Sequence, residues 1–265
     1  MEKSTSPLNS LKDTISRIRK RFGRNSIIQA NDARFIKVVR VSTGIDSLDF
    51  GIGGGYPLGR FVHIYGPEGV AKTFMAMRAA AVVHAADPKA IVVWNDLERV
   101  FDHKRAKQIG VDLSRLELIP ADSAEQSFAV MEEFVACPDV KLYVVDSVAA
   151  VSPMSEMEGE MEDMQMGAAP RVMNKFFRRW LAKNSPKDNQ PPHSFVLLLN
   201  QVREKIGAWA GRGGPKPQPP GGRGMRSFPS LIIEVVRGDQ ITLNAADDDS
   251  DKIVIGHDVK YRIDL

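Results

Sequence analysis

The sequence predicts an α/β fold built on a central, mostly parallel twisted sheet, and three observations carry that expectation. Near-continuous apolar runs of strand length recur at Phe61 to Tyr65, Ile91 to Asn95, Leu116 to Ile119, Lys141 to Val145 and Phe195 to Asn200, with helix-like stretches between them. Strands that do not alternate in polarity are buried on both faces, as in a parallel sheet covered by helices. The first run leads straight into GPEGVAKT, Gly66 to Thr73, and then into an apolar helical stretch. Polar groups stand at the ends of three later runs, at Asp96-Leu97-Glu98, Asp146-Ser147 and Asn200-Gln201. In open sheets of this kind ligands gather at the carboxyl ends of the strands.

Composition sets the frame. At 265 residues, with 43% hydrophobic and 26% charged content, the chain can bury one full core, alone or with a small appendage. No apolar run reaches membrane-spanning length, and the start MEKSTSPLNS lacks a signal-peptide core. The single cysteine, Cys137, has no internal disulfide partner, which points to a reducing compartment, the cytoplasm. His63, His84, His103, His193 and His257 are scattered without metal-ligand spacing, so no zinc site is expected. The net charge of +3 is too small to argue for a polyanionic partner, so such a role depends on where the charge lies.

The first element is a helix. Leu8, Leu11, Ile15, Ile18 and Phe22 recur at steps of three and four, and Gly23 stands where the helix should stop. Its other faces are basic, with Lys12, Arg17, Arg19, Lys20 and Arg21. Two readings stay open from the residues, a helix on its own core or a stripe that docks on a neighbouring subunit.

The turn after the first strand is the chemical centre. A strand that ends in a glycine-rich turn and opens a helix aims backbone N–H groups at one point, where the helix dipole adds positive charge. That geometry suits a phosphate. Gly66, Pro67, Glu68, Gly69, Val70, Ala71, Lys72 and Thr73 form the cradle, with Lys72 reaching the terminal phosphates and the Thr73 hydroxyl placed for a magnesium ion shared with the nucleotide. One residue departs from the P-loop pattern G-x-x-x-x-G-K-[ST]. Ala71 occupies the second glycine position, where a side chain is expected to strain the backbone.

The strand ends complete the expectation. Asp146 can hold magnesium, with Ser147 to orient it, or simply cap the next helix. Glu98 can polarise an attacking water or serve as a helix-start carboxylate. Asn200 and Gln201 can sense a terminal phosphate or satisfy buried backbone groups. Together with the phosphate turn they point to a nucleoside-triphosphate site.

Two later segments read differently. From Val202 to Arg226 the chain carries Arg203, Lys205, Arg212, Lys216, Arg223 and Arg226 against Glu204, among glycines and prolines. Such a stretch cannot bury enough apolar surface to order itself; a polyanion is the expected partner, with Ile206 and Trp209 available to stack on or insert between bases, and a flexible basic loop without a ligand is the other reading. The stretch from Met154 to Met166 places methionines at helical steps among acidic residues, an amphipathic packing stripe. The helix after it, expected from Arg171 to Lys183, brings Arg171, Lys175, Arg178 and Arg179 within reach of phosphates. Asp247, Asp248, Asp249 and Asp251 read as a solvated turn between strands.

The chain resembles the RecA-type recombinases of bacteria and their phages. The similarity runs through RKRFGRNSII, STGIDSLDFGIGGGYPLGRFVHIYGPEGVAKT, LYVVDSVAAVSP, EMEGEMEDMQMGAAPR, LNQVREKIG and GGRGMRSFPS. It implies a P-loop ATPase core over residues 39–265 and an N-terminal helix-strand arm over residues 1–38 that packs on the next protomer. It further implies a helical homo-oligomeric filament on single-stranded DNA, with ATP and Mg2+ between subunits, that pairs with homologous double-stranded DNA and exchanges strands. By resemblance, Glu98 activates water, Asp146 and Thr73 hold magnesium, Asp102 contacts adenine and Gln201 senses the γ-phosphate at the root of the second DNA loop. Met166, Arg171 and Arg178 fall on DNA-contacting positions of the first loop, at about 154–170. Arg203, Ile206, Gly221, Gly222 and Arg223 fall on those of the second, at about 202–225.

Departures qualify the likeness. Arg105 stands where the family places an adenine-stacking tyrosine, and its guanidinium plane can stack as well. Pro170 is expected to stiffen the end of the first loop. Lys260 and Arg262 are near substitutes for two lysines that reach a neighbour's ATP, and the sequence carries no counterpart of the family's C-terminal domain. Two other readings share these residues: a filament that uses ATP as a structural clamp without turnover, and a ring-helicase-like motor.

Overall fold

The computed structural model describes residues 11–27, 29, 38–121, 123–154, 168–183, 192–202, 221–244 and 252–264. Helix α1 (Leu11–Phe22) buries none of its residues, and Gly23 after it takes φ 95°. Leu11 and Phe22 are 76% and 65% exposed, so the predicted stripe is present but does not build a core of its own. Leu8 lies outside the described residues.

The core begins with a small antiparallel pair, β1 (Arg40–Val41) and β2 (Tyr56–Pro57), on either side of α2 (Asp46–Ile52). Then strands and helices alternate: β3 (Phe61–Gly66), α3 (Lys72–Ala86), β4 (Ile91–Asp96), α4 (His103–Ile109), β5 (Leu116–Ile119), α5 (Ala124–Ala136) and β6 (Val140–Asp146). After them come α6 (Ala168–Lys183), β7 (Phe195–Gln201), the single turn α7 (Gly224–Ser227), β8 (Leu231–Asn244) and β9 (Lys252–Asp264). The seven-stranded sheet runs β5-β4-β6-β7-β3-β8-β9. Every neighbouring pair is parallel except β8 and β9. The apolar runs thus form the strands expected of them, and their lack of alternation has the expected cause.

Each strand sends successive side chains to opposite faces. Val62, Ile64, Trp94, Leu142 and Leu197 pack with Met75, Ala76, Ala79 and Ala80 of α3. The alanines let that helix lie close on the sheet. Phe61, Val93, Tyr143 and Leu198 face the other way, onto Phe128 of α5 and Met173, Phe176, Phe177 and Trp180 of α6. There Phe61 meets Phe177 edge-on at 5.1 Å, and Phe128 stacks on Phe176 at 4.5 Å. These spacings are in the favourable range for aromatic pairs.

The helix expected to open at Arg171 begins three residues earlier, at Ala168. Pro170 therefore lies in its first turn, where the missing N–H costs nothing because no carbonyl precedes it to accept. The acidic residues 247–249 and 251 and the methionine-rich stretch beyond Met154 lie outside the described residues, though β8 and β9 do flank the former as an antiparallel hairpin.

Candidate functional site

Strand order explains which polar groups can meet. Asp96 and Asp146 are register partners at the ends of β4 and β6, and Gly66 and Gln201 are partners at the ends of β3 and β7. Since β6 and β7 are neighbours, the ends of four central strands converge on one edge. The phosphate turn rises from this edge between β3 and α3.

Close approach shapes the turn. A Cβ at Gly66 would lie 2.1 Å from the Val235 carbonyl oxygen of β8, so only glycine fits there. Ala71 adopts φ 65° and ψ 19° as the residue before α3, the left-handed conformation its predicted place demands. Among the described residues only Ala71 and Arg99 are non-glycine residues with positive φ. Each adjoins a predicted site residue, Lys72 and Glu98. Strained backbone clusters at functional sites because the surrounding structure must hold it there.

Lys72 is buried, and its Nζ donates to the carbonyls of Gly66 at 3.1 Å and Pro67 at 2.6 Å. Burial lowers its pKa, opposed by the carboxylates of Asp146, Glu98 and Glu68. Thr73 Oγ1 donates to Asp146 Oδ2 at 2.9 Å. Burial pushes the Asp146 carboxyl up to about 6, with Glu98 and Asp96 adding to the rise and the Thr73 bond opposing it. Two adjacent hard oxygen donors beside a phosphate cradle fit magnesium, which takes one or two protein oxygens and leaves its other positions to phosphate and water.

Glu98 forms the second half of the site. Its Oε1 accepts from Gln201 Nε2 at 2.9 Å and from the Ser147 hydroxyl. Ser147 is expected to orient Asp146; its hydroxyl donates to Glu98 instead, which the side-by-side ends of β4 and β6 bring within reach. The loop carrying Glu98 is fixed by Asp96, whose carboxylate accepts the N–H groups of Val100 at 3.2 Å and Phe101 at 2.9 Å. Sequence reasoning gave Asp96 no such role. Spacing alone does not show that a carboxylate will cap its own loop.

On the far side of α3, Asp102 caps α4 by accepting from the Arg105 N–H at 2.9 Å. The Arg105 guanidinium stands over the Phe74 ring, 5.9 Å from its centre. Asp102 and Arg105 are both exposed, and Phe74 directly follows Thr73, so a planar cation lies one helical position from the phosphate turn. Arg237, which sequence reasoning also passed over, brings Nη2 to 3.5 Å from where a Gly69 Cβ would be.

The predicted nucleic-acid residues divide. Met166, Arg203 and Ile206 lie outside the described residues. Arg171 and Arg178 are exposed on α6, on the face opposite its buried aromatics, whereas Arg179 is paired with Glu132 of α5 at 3.0 Å. Gly221 and Gly222 take φ 105° and 68°. A Cβ at Gly222 would sit 3.1 Å from Pro170 Cβ, and one at Gly221 3.2 Å from Met173 Sδ. The turn leading to Arg223 is therefore seated on the first turns of α6, and Arg223 and Arg171 each stand one residue from that contact. Lys260 and Arg262 pair at 3.0 Å with Asp239 and Glu234 on the neighbouring β8. As exposed cross-strand pairs they are weakly held.

The chain is similar to one protein family and to several known proteins. The RecA N-terminal domain family matches residues 9–263. Protein RecA of Mesomycoplasma hyopneumoniae (strain J) is 35% identical over 254 residues, covering 96% of this chain and 70% of that protein. Protein RecA of Macrococcus caseolyticus is 38% identical over 233 residues, covering 88% of this chain and 63% of that protein. Protein RecA of Staphylococcus aureus (strain Newman) is 36% identical over 233 residues, covering 88% and 64%. The chain thus spans roughly two thirds of the length of these relatives.

Proposed function

The chain belongs to the RecA family, and from that premise we propose that it is an ATP-dependent recombinase that forms a helical filament on single-stranded DNA and promotes homologous pairing and strand exchange. The observation that carries the reading is the contact of Gln201 with Glu98. It joins the root of the basic segment to the carboxylate best placed to activate water.

In this reading residues 39–265 are the ATPase core and residues 1–38 an arm that packs on the next protomer, with DNA-binding loops at about 154–170 and 202–225. The phosphate turn binds ATP between protomers, and Lys72 leaves the Gly66 and Pro67 carbonyls to pair with the terminal phosphates. Thr73 and Asp146 would hold Mg2+, which supplies charge neutralisation to the phosphates when bound. Glu98 orients and deprotonates the attacking water, and Ser147 and Asp96 hold Glu98 and its loop in place. Asp102 and Arg105 face the base. When the γ-phosphate is present Gln201 turns from Glu98 toward it and the two loops close on DNA, through Arg171, Arg178 and Arg223 together with Met166, Arg203 and Ile206. Gly221 and Gly222 allow the tight return of the second loop.

Phosphate release measured with and without single-stranded DNA tests this directly. The reading expects DNA-stimulated turnover, open helical filaments in electron micrographs and transfer of a labelled strand from a homologous duplex. Filaments without turnover would identify a structural clamp, and closed rings with strand unwinding a motor. Either outcome overturns the proposal.

A further inference from the structure

One buried imidazole takes no part in the chemistry above. His63, 1% exposed, lies in β3 on the same sheet face as Phe61, the face covered by α6. Its ring centre is 5.2 Å from that of Tyr65. Its Nε2 meets the side-chain nitrogen of Asn200 at 3.4 Å, and Asn200 is fully buried. The other end of that carboxamide is committed, because Asn200 Oδ1 accepts the backbone N–H of Gln201 at 3.0 Å. A carboxamide that accepts through its oxygen on one side presents N–H groups on the other, so His63 Nε2 is the acceptor and the ring proton sits on Nδ1. Burial pushes the imidazole down to about 4, which keeps Nε2 unprotonated at neutral pH.

The ring also lies beside a different element. Among the described residues Nδ1 has no hydrogen-bonding partner, and the backbone of Met225 opposes the lowering. Met225 is buried in the apolar cluster on this same sheet face, with Phe61 and Phe177. It belongs to α7, three residues after Gly222, whose contact with Pro170 seats the end of the basic segment on α6. The imidazole therefore lies between the strand that ends in Gln201 and the turn that carries Arg223.

We propose that His63 is a positioning residue: through Asn200 it fixes Gln201 in its aim at Glu98, and through Met225 it ties that aim to the seat of the second loop. The inference rests on the ATP-dependent DNA-binding reading for its functional half and on the geometry alone for its positional half. Asn200 serves His63 and Gln201 together in one orientation only; turned over, it would set an N–H against the Gln201 N–H. A shift of Met225 changes what the ring packs against, and with it the hold of His63 on Asn200. The loop's position is thereby felt at Glu98 without any contact between DNA and nucleotide.

Two variants test it. H63F keeps the ring's volume and removes both nitrogens, while H63Q offers Oε1 in place of Nε2. Amide exchange at Gln201, in protein free of nucleotide and DNA, is expected to quicken about tenfold in H63F and to stay within about threefold of the parent in H63Q. Unchanged exchange in H63F overturns the inference whatever the protein does with DNA. The ratio of dissociation constants for single-stranded DNA without and with a slowly hydrolysed ATP analogue is expected to fall about fivefold or more in H63F and to recover in H63Q, with affinity for the analogue unchanged. A full ratio in H63F overturns the coupling. If exchange quickens as expected while the parent binds DNA equally with and without the analogue, the positional half stands and the recombinase reading fails. Should H63F not fold, H63N, too short to reach Asn200, is read in its place.

Discussion

At Ala71 the backbone holds φ 65°, a conformation that costs a non-glycine residue roughly 1–2 kcal/mol. Replacing it by glycine removes that strain but loosens the unfolded chain by about 0.4–1 kcal/mol. The balance lies between nothing and a gain of about 1.6 kcal/mol, so A71G should melt up to about 3–6 °C higher. Phosphate release should quicken by more than this small stabilisation suggests, because the strain sits beside Lys72. Thermal melts and single-turnover assays on the same preparation check both. Asp146 gives a pH signature. Its carboxyl titrates at about 6, above the ordinary 3.8, so folding favours the protonated form. The stability this group contributes is full below about 3.8 and is lost as pH rises through about 6. Magnesium requires the ionised form, so magnesium-dependent nucleotide affinity should weaken about tenfold for each unit below about pH 6. Binding of a fluorescent ATP analogue across that range checks it, and D146N should flatten the profile. The sequence announced Lys72, Thr73, Asp146, Glu98 and Gln201 by their places at strand ends. It could not announce that Gln201 and Glu98, 103 positions apart, would bond, since only the side-by-side placing of strands brings them together.

Helices α6 and α1 carry the clearest tests among the elements. The arginines at 171 and 178 are solvent-exposed, so replacing both with alanine should leave the melting temperature within the range of neutral surface changes. Each phosphate contact to a single strand contributes about 0.7 to the slope of log affinity against log salt, so the slope should shrink by roughly 1.4 if both touch DNA. Oligonucleotide titrations at several salt concentrations measure it. In α1 no residue is buried, so exchanging Ile15 and Ile18 for serine should not unfold the protein. Burial of each on a neighbour would contribute about 1.5–3 kcal/mol, so the doubly substituted chain should assemble at least a hundredfold less readily in sedimentation experiments. The stripe was legible because its period is local. The start of α6 was not, since Pro170 reads as a breaker unless it is known to lie in a first turn.

For the whole molecule, the class of the sheet followed from its unbroken apolar runs, but its order did not. Which strands become neighbours depends on how connections cross the sheet, and nothing in a run such as Phe195 to Asn200 names its partner. The β8–β9 hairpin was visible only as a turn, although β8 spans Leu231–Asn244 and meets β3 only from Leu231 to Glu234. The place of β3 has a consequence for how the protein is made. Both of its flanks, β7 and β8, are encoded far downstream, at Phe195–Gln201 and Leu231–Asn244. At about 5–20 residues per second, a ribosome extrudes the phosphate turn many seconds before either flank emerges. Until then neither flank is there to cover this apolar strand, and nascent chains stalled short of β7 should not retain ATP.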